Sequence, residues 1–284
     1  MEAQSIIART YALRNLRRFE VDPRWWLYIL YATIVWAVIY WILFPAFPLI
    51  SQGTPGVLGW SSRSAVEQEL TRVADSRAEL GAQVAALPFE DIVADATLSD
   101  YARRSGAAAF AVHCSQCHGS GAVGSQELGY PNLNDDAWLW GGTHDAIYTT
   151  ITHGVRNADD PSARNSMMPA YGTLGILQRD QISDVAHHVL SFSDLEHDAE
   201  AAERGTEIYM TQCAACHMPD GSGNPILGAP RLNDAIWLYG KEHAQVVSQI
   251  ANPRLGVMPA FANRLDEATR KKLALYIHSL GGGQ

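Results

Sequence analysis

Apolar and polar positions divide the chain into three regimes. Between Arg24 and Arg63 there is no Asp, Glu, Lys or Arg, and residues 25–44 form twenty mostly apolar positions. At ~1.5 Å rise per residue such a helix spans about 30 Å, the thickness of a bilayer's hydrocarbon core. Trp25, Trp26, Tyr40 and Trp41 stand toward its two ends, where amphipathic rings favour the membrane interface. Pro45 and Pro48 end it. No polar face exists for packing as a soluble helix. The run also exceeds the ~7–15 residues of a secretory signal's apolar region, and no small-residue cleavage site follows. A transmembrane anchor over 25–50, after a segment 1–24, is therefore expected. The second regime, 51–97, is a linker. Its Gly/Pro/Ser-rich start gives way to a helical pattern capped by Ser61 or Ser62, with Val66, Leu70, Val73, Arg77 and Leu80 near one stripe and Pro88 as the stop. Its composition suits a lightly packed spacer or a partly ordered connector.

From about Leu98 the chain repeats itself. Gly106 and Phe110 match Gly205 and Tyr209 at an offset of 99, and Pro131, Leu133, Asn134 and Asp135 match Pro230, Leu232, Asn233 and Asp234. Trp138-Leu139-Trp140-Gly141 likewise matches Trp237-Leu238-Tyr239-Gly240. The offset then falls to 90, where Met168-Pro169-Ala170-Tyr171 matches Met258-Pro259-Ala260-Phe261. The first copy thus carries nine extra residues, placed in the polar stretch around Arg156 to Ser166, where a surface loop absorbs an insertion cheaply. Each copy reads as helix, Cys/His motif, loop, short helix, Met-Pro loop and final helix. Asn134-Asp135 and Asn233-Asp234 look like N-caps of the short helix, and Trp138, Trp140, Trp237 and Tyr239 like its core-facing aromatics. The expected architecture is all-α: one anchor helix, then tandem modules at 98–195 and 196–284.

All four cysteines fall in two pentapeptides, Cys114-Ser115-Gln116-Cys117-His118 and Cys213-Ala214-Ala215-Cys216-His217. C-x-x-C-H is the attachment signature of c-type haem: two thiols for thioethers and an imidazole for the iron. A thioredoxin-like pair fits poorly, since no βαβ pattern precedes either motif, and no second CxxC lies at zinc-ribbon spacing. Two covalently held haem c groups are expected, with His118 and His217 as proximal ligands. Met168 and Met258 are the distal candidates, because both precede proline in the loop between helices of their own copy. In the direct assignment Met168 serves the first iron and Met258 the second. The sequence leaves open whether either methionine serves the other module's haem. Met167 competes with Met168, but its repeat counterpart is Val257. His113, His144, His153, His187, His188, His197, His243 and His278 read as surface or packing residues. His188 takes the place of Tyr276 in the final helix, where an aromatic would pack against the Gly106/Phe110 or Gly205/Tyr209 face of the first helix. Modules this small have little apolar core, so bound porphyrin would supply much of it. No catalytic triad, P-loop or carboxylate pair is present.

Formal charge is -9, unevenly spread. Residues 1–50 hold five arginines against three carboxylates, and the remainder holds 16 basic against 27 acidic groups. Such an acidic region argues against nucleic acid and favours a basic redox partner. The arginines precede the span, so the positive-inside rule places 1–24 in the cytoplasm and the modules across the membrane. Covalent haem attachment on the far side of the bacterial inner membrane gives the same topology.

These residues together resemble a known family. Asp22-Pro23-Arg24-Trp25-Trp26-Leu27, Phe44-Pro45-Ala46-Phe47-Pro48, Gly59-Trp60-Ser61-Ser62-Arg63 and the run from Gly129-Tyr130-Pro131 to Trp138-Leu139-Trp140-Gly141-Gly142 are similar to the CcoP subunits, the membrane-anchored dihaem cytochromes c of cbb3-type cytochrome c oxidases. His188 in place of an aromatic is a departure, as is a single span where some members have two. The resemblance implies a non-catalytic electron-transfer subunit. It would pass electrons from a donor cytochrome c toward a monohaem subunit and a haem-copper subunit that reduces oxygen and pumps protons. A stand-alone, membrane-tethered dihaem carrier is the alternative.

Overall fold

The structure, a computed structural model, describes residues 24–50 and 53–282. Apart from Arg24, the expected cytoplasmic segment lies outside the described residues. The chain forms two compact units divided after Arg77. Among the described residues there are helices and isolated bridges but no extended strand.

In the first unit, α1 (Arg24–Leu43) is long and apolar enough to cross a membrane, and none of its residues is buried in protein. Its last carbonyls are satisfied by the chain folding back: Val57 N–H donates to Ile42 O (2.9 Å) and Leu58 N–H to Leu43 O (3.2 Å). Thr54 Oγ1 accepts from Ala46 and Phe47, and Trp60 meets Phe44 edge-on at 5.9 Å. The Phe-Pro-Ala-Phe-Pro segment therefore caps the helix end, where orphan carbonyls need partners. Helix α2 (Ser62–Ala86) carries the division between the units. Its apolar stripe is exposed at Val66 and Leu70, while Leu80 and Val84 join the core of the second unit.

The second unit holds α3 (Phe89–Ala94), α4 (Ala96–His113), α5 (Ser115–His118), α6 (His144–His153), α7 (Arg179–Ser191), α8 (Ala199–Gln212), α9 (Ala214–His217), α10 (His243–Ala251) and α11 (Glu267–His278). Side-chain caps fix several starts: Asp95 accepts from Thr97 and Leu98, Thr143 from Ala146, Asp198 from Ala201 and Asp266 from Thr269. The short helix begins at Thr143, or at Glu242 in the second copy, where Gln245 completes a capping box. It does not begin at the Asn-Asp pairs. Asp135 and Asp234 instead accept from Ala137 and Ile236 two residues on, a local turn that competes with helix. The Trp138–Trp140 segment is accordingly turn.

Packing crosses the repeat. Helix α4 pairs with α11, and α8 with α7, while α6 adds to α11 and α10 to α7. Two cores result. One joins Leu98, Ala102, Phe110, Ile147 and Ile151 of the first copy to Leu273, Ala274 and Ile277 of the second. The other joins Ile182, Val185, Val189 and Leu190 of the first copy to Tyr209, Val246 and Ile250 of the second. We call these body A and body B. Small residues allow both crossings: a Cβ on Gly106 would overlap the carbonyl of Lys272, and one on Gly205 that of Asp184. Tyr276 meets Phe110 at 5.5 Å, and His188 meets Tyr209 at 5.0 Å. The short connection from α7 to α8 favours antiparallel neighbours. The terminal helices α4 and α11 are then left to close on each other. The sequence repeat and the packed bodies do not coincide: body B is a contiguous insert within a body A split between its two ends.

Candidate cofactor sites and family membership

Each Cys/His motif is a single helical turn. Cys114 caps α4, and the N–H groups of Cys117 and His118 return to its carbonyl at 3.1 and 3.0 Å. Cys213 repeats this with Cys216 and His217 at 3.1 and 3.0 Å. The i, i+3, i+4 spacing puts both sulfurs and the imidazole on neighbouring positions of one face. No disulfide joins the four cysteines, and Cys117 and Cys216 are exposed. Burial pushes the Cys114 and Cys213 thiols up to about 11.

His118 Nδ1 lies 3.1 Å from Pro131 O, and His217 Nδ1 lies 3.0 Å from Pro230 O. A carbonyl only accepts, so Nδ1 carries the proton and Nε2 keeps its lone pair for a metal. Burial lowers both imidazole pKa values, more than the carbonyl contact raises them, which favours the neutral, ligating form. The loop behind each histidine is pinned alike. Asn134 Nδ2 donates to Gly121 O at 2.9 Å, and Asn233 Nδ2 to Asp220 O at 3.0 Å. The residue after the histidine has positive φ in both copies: Gly119 (78°) and Met218 (66°). Glycine adopts this freely and methionine does not. In the second copy Tyr209 Oη donates to Met218 O at 2.8 Å, a tie that Phe110 cannot make. The Phe/Gly pair of one copy has thus become a Tyr/Met pair in the other.

The methionines follow the bodies. Met258 exchanges both backbone hydrogen bonds with Val155 (2.9 and 3.0 Å) and packs in the cluster holding Cys114, Phe110, Leu133 and Trp138. Met168 packs in the cluster holding Cys213, Tyr209, Leu232 and Trp237. Met167 is 68 % exposed. Met258 therefore shares a cluster with Cys114 of the first Cys/His turn, and Met168 with Cys213 of the second. Trp138 and Trp237 join the cores as expected, but Trp140 and Tyr239 lie between the bodies, against Gly228 and Gly129 respectively. The fit to a carboxylate-bearing porphyrin is supported by two buried guanidinium nitrogens, Nε of Arg164 and Nε of Arg270, that have no partner among the described residues.

Sequence reasoning missed one regularity. His144 and His243 stand 99 residues apart, on the repeat's own offset. His144 stacks on His278 and His243 on His187, each at 3.9 Å. Burial and the facing imidazole lower the pKa values of His144 and His187.

Comparison with known proteins matches three family profiles in order: the N-terminal domain of cytochrome oxidase-cbb3, FixP, at residues 21–51; cytochrome c at 104–193; and cytochrome c oxidase, cbb3-type, subunit III at 200–277. The cbb3-type cytochrome c oxidase subunit CcoP of Cereibacter sphaeroides is 48% identical over 92% of this chain and 90% of its own length. The chain belongs to the CcoP/FixP family. Subunits named FixP from Azorhizobium caulinodans and Sinorhizobium medicae are 49% and 45% identical, each over 92% of this chain, covering 88% and 89% of their own lengths. As a CcoP/FixP member the chain is a subunit of a cbb3-type oxidase, its cytochrome c domains imply haem c, and its apolar helix suggests membrane anchoring.

Proposed function

We propose that this chain is the dihaem electron-intake arm of its oxidase, with both bodies on the periplasmic side of the bacterial inner membrane. The observation that carries the reading is that Cys114 shares one packed cluster with Met258, and Cys213 shares the other with Met168. Cys114 and Cys117 would fasten one haem, with His118 and Met258 on its iron. Cys213 and Cys216 would fasten the other, with His217 and Met168. When bound, haem supplies one-electron exchange between ferrous and ferric iron. The chain's part is to hold the ligands and exclude water. The Pro131 and Pro230 carbonyls orient the imidazoles, and the cores desolvate them. His/Met ligation favours the ferrous state relative to His/His.

The bodies are joined at the loops that follow the haem motifs. Gln126 Nε2 donates to Trp237 O (2.5 Å), and Arg254 Nη2 reaches Glu127 O (2.8 Å) of the first such loop. A fixed joint there supports passage of electrons from one haem to the other and on to a monohaem subunit. Oxygen reduction and proton pumping belong to the haem-copper subunit, and no residue of this chain is assigned to them. Detergent purification through a tag on this chain tests the reading. Mass measurement should show two porphyrins on the polypeptide, and haem b and copper should co-purify. A chain that runs alone, without those partners, would be a tethered carrier instead.

The acidic surface bears on the donor. Electron intake from a basic donor should slow as ionic strength rises toward 0.15 M, where the Debye length has shrunk to ~8 Å. Stopped-flow reduction checks this, and a salt-independent rate would remove the acidic surface from docking.

A further inference from the structure

Arg164 stands four residues before Met168, as Arg254 stands four before Met258, and nothing in the packing accounts for its charge. Its backbone flanks Val155 in parallel: Arg164 N–H donates to Gly154 O (3.0 Å), and Arg156 N–H to Arg164 O (2.7 Å). On its other edge Val155 pairs antiparallel with Met258. Residues paired across such ladders project to one face, and each step across is about 4.8 Å. Arg164 and Met258 therefore share a face, with backbones roughly 10 Å apart. That face is turned to the first Cys/His turn, because Met258 packs in the cluster of Cys114.

The guanidinium on this face is unanswered. Its Nε is buried without a partner, and its side chain makes no hydrogen bond or ion pair among the described residues. Burial lowers its pKa. Arg156 next door is satisfied by the carbonyls of Gly256 and Ser166. Arg270 is partly so, through Thr152 Oγ1 (2.9 Å) and the face of Tyr148. A guanidinium nitrogen buried without a partner is costly, and the planar fork of this half-buried side chain matches a carboxylate. No carboxylate side chain does so here, whereas a porphyrin brings two carboxylates at its rim.

We propose that Arg164 binds a carboxylate of the porphyrin fastened at Cys114 and Cys117, and thereby raises that haem's reduction potential above that of its partner. The inference rests on the dihaem reading given above. Oxidation adds one positive charge at iron, which a nearby bare carboxylate would stabilise. The guanidinium cancels that field and so favours the reduced form. The counterpart of Arg164 at the offset of 90, Arg254, is engaged instead by Glu127 O (2.8 Å) and by the face of Tyr239, so no equivalent guanidinium is left free in the second copy.

The test uses the full-length, detergent-purified holoprotein. Mass measurement first establishes the attached porphyrins, and their absence from the unaltered chain would overturn the dihaem reading itself. Redox titration then follows Arg164→Gln in a Cys213→Ala/Cys216→Ala background, which keeps only the first haem, and in a Cys114→Ala/Cys117→Ala background, which keeps only the second. The first haem should shift downward by at least tenfold in its reduction equilibrium, about 59 mV for one electron, and the second should not shift. Arg164→Lys keeps the charge without the fork and should shift the first haem less, which serves should the glutamine variant fail to hold haem. Arg104→Gln, an exposed arginine paired with Asp100, should move neither. Unchanged potentials in both Arg164 variants with haem attached, or a shift confined to the second haem, would overturn the proposal.

Discussion

Met258→Leu is expected to lower the potential of the haem fastened at Cys114 and Cys117, and Met168→Leu that of the haem fastened at Cys213 and Cys216. Each change replaces a soft sulfur by a hydrocarbon of similar volume, so the fold should survive while the iron loses its distal partner. The loss should exceed a hundredfold in the reduction equilibrium, about 120 mV for one electron. The pairing is the sharp part. In a Cys114→Ala/Cys117→Ala chain only the second haem remains, and body B is contiguous in sequence. Its spectrum and potential should then respond to Met168→Leu and ignore Met258→Leu. The opposite response would mean that ligation follows the sequence copies and that the crossed packing of Met258 with Cys114 has no counterpart at the iron.

Gly106→Val should selectively undo body A. The new side chain would enter the space held by the Lys272 backbone, where α4 and α11 cross. Neither helix can yield without uncovering Phe110, Leu273 and Ala274, all at most 1% exposed. Overpacking of this kind costs about 3 kcal/mol. Trypsin should then cut rapidly after Arg270, Lys271 and Lys272 on α11, which in the native protein is held by Lys271 Nζ on the carbonyls of Ala85 and Leu87. Gly205→Val should instead loosen α7 against α8. If Gly106→Val left α11 protected and exposed α7, the helices would be packed within each copy rather than between copies.

Local chemistry was plain in the sequence. The apolar run gives α1, the Cys/His pentapeptides give single turns, and the offsets give two copies of one helical plan. These features depend on near neighbours. The exchange of helices does not, because Gly106 and Gly205 fit α11 and α7 equally well as patterns. Only the short connection between α7 and α8 argued for it, and its consequence for the methionines follows from three-dimensional closure. The Asn-Asp pairs misled for a related reason: the same side chains that cap helices also close local turns. The stacked histidines needed only the offset of 99 applied once more. Arg164 has a repeat counterpart in Arg254, four residues before each Met-Pro, but the pattern does not tell which of the two is left without a partner.

The crossing also sets an order of events during synthesis. Body B, from Met168 to Ala251, has all its parts once α10 has been made. Body A has its own cysteines nearly a hundred residues earlier, yet stays open until α11 follows at the far end of the chain. On the dihaem reading proposed above, the centre encoded first would thus be the last to close. A message cut short before α11 could yield a closed second centre, but never a closed first one.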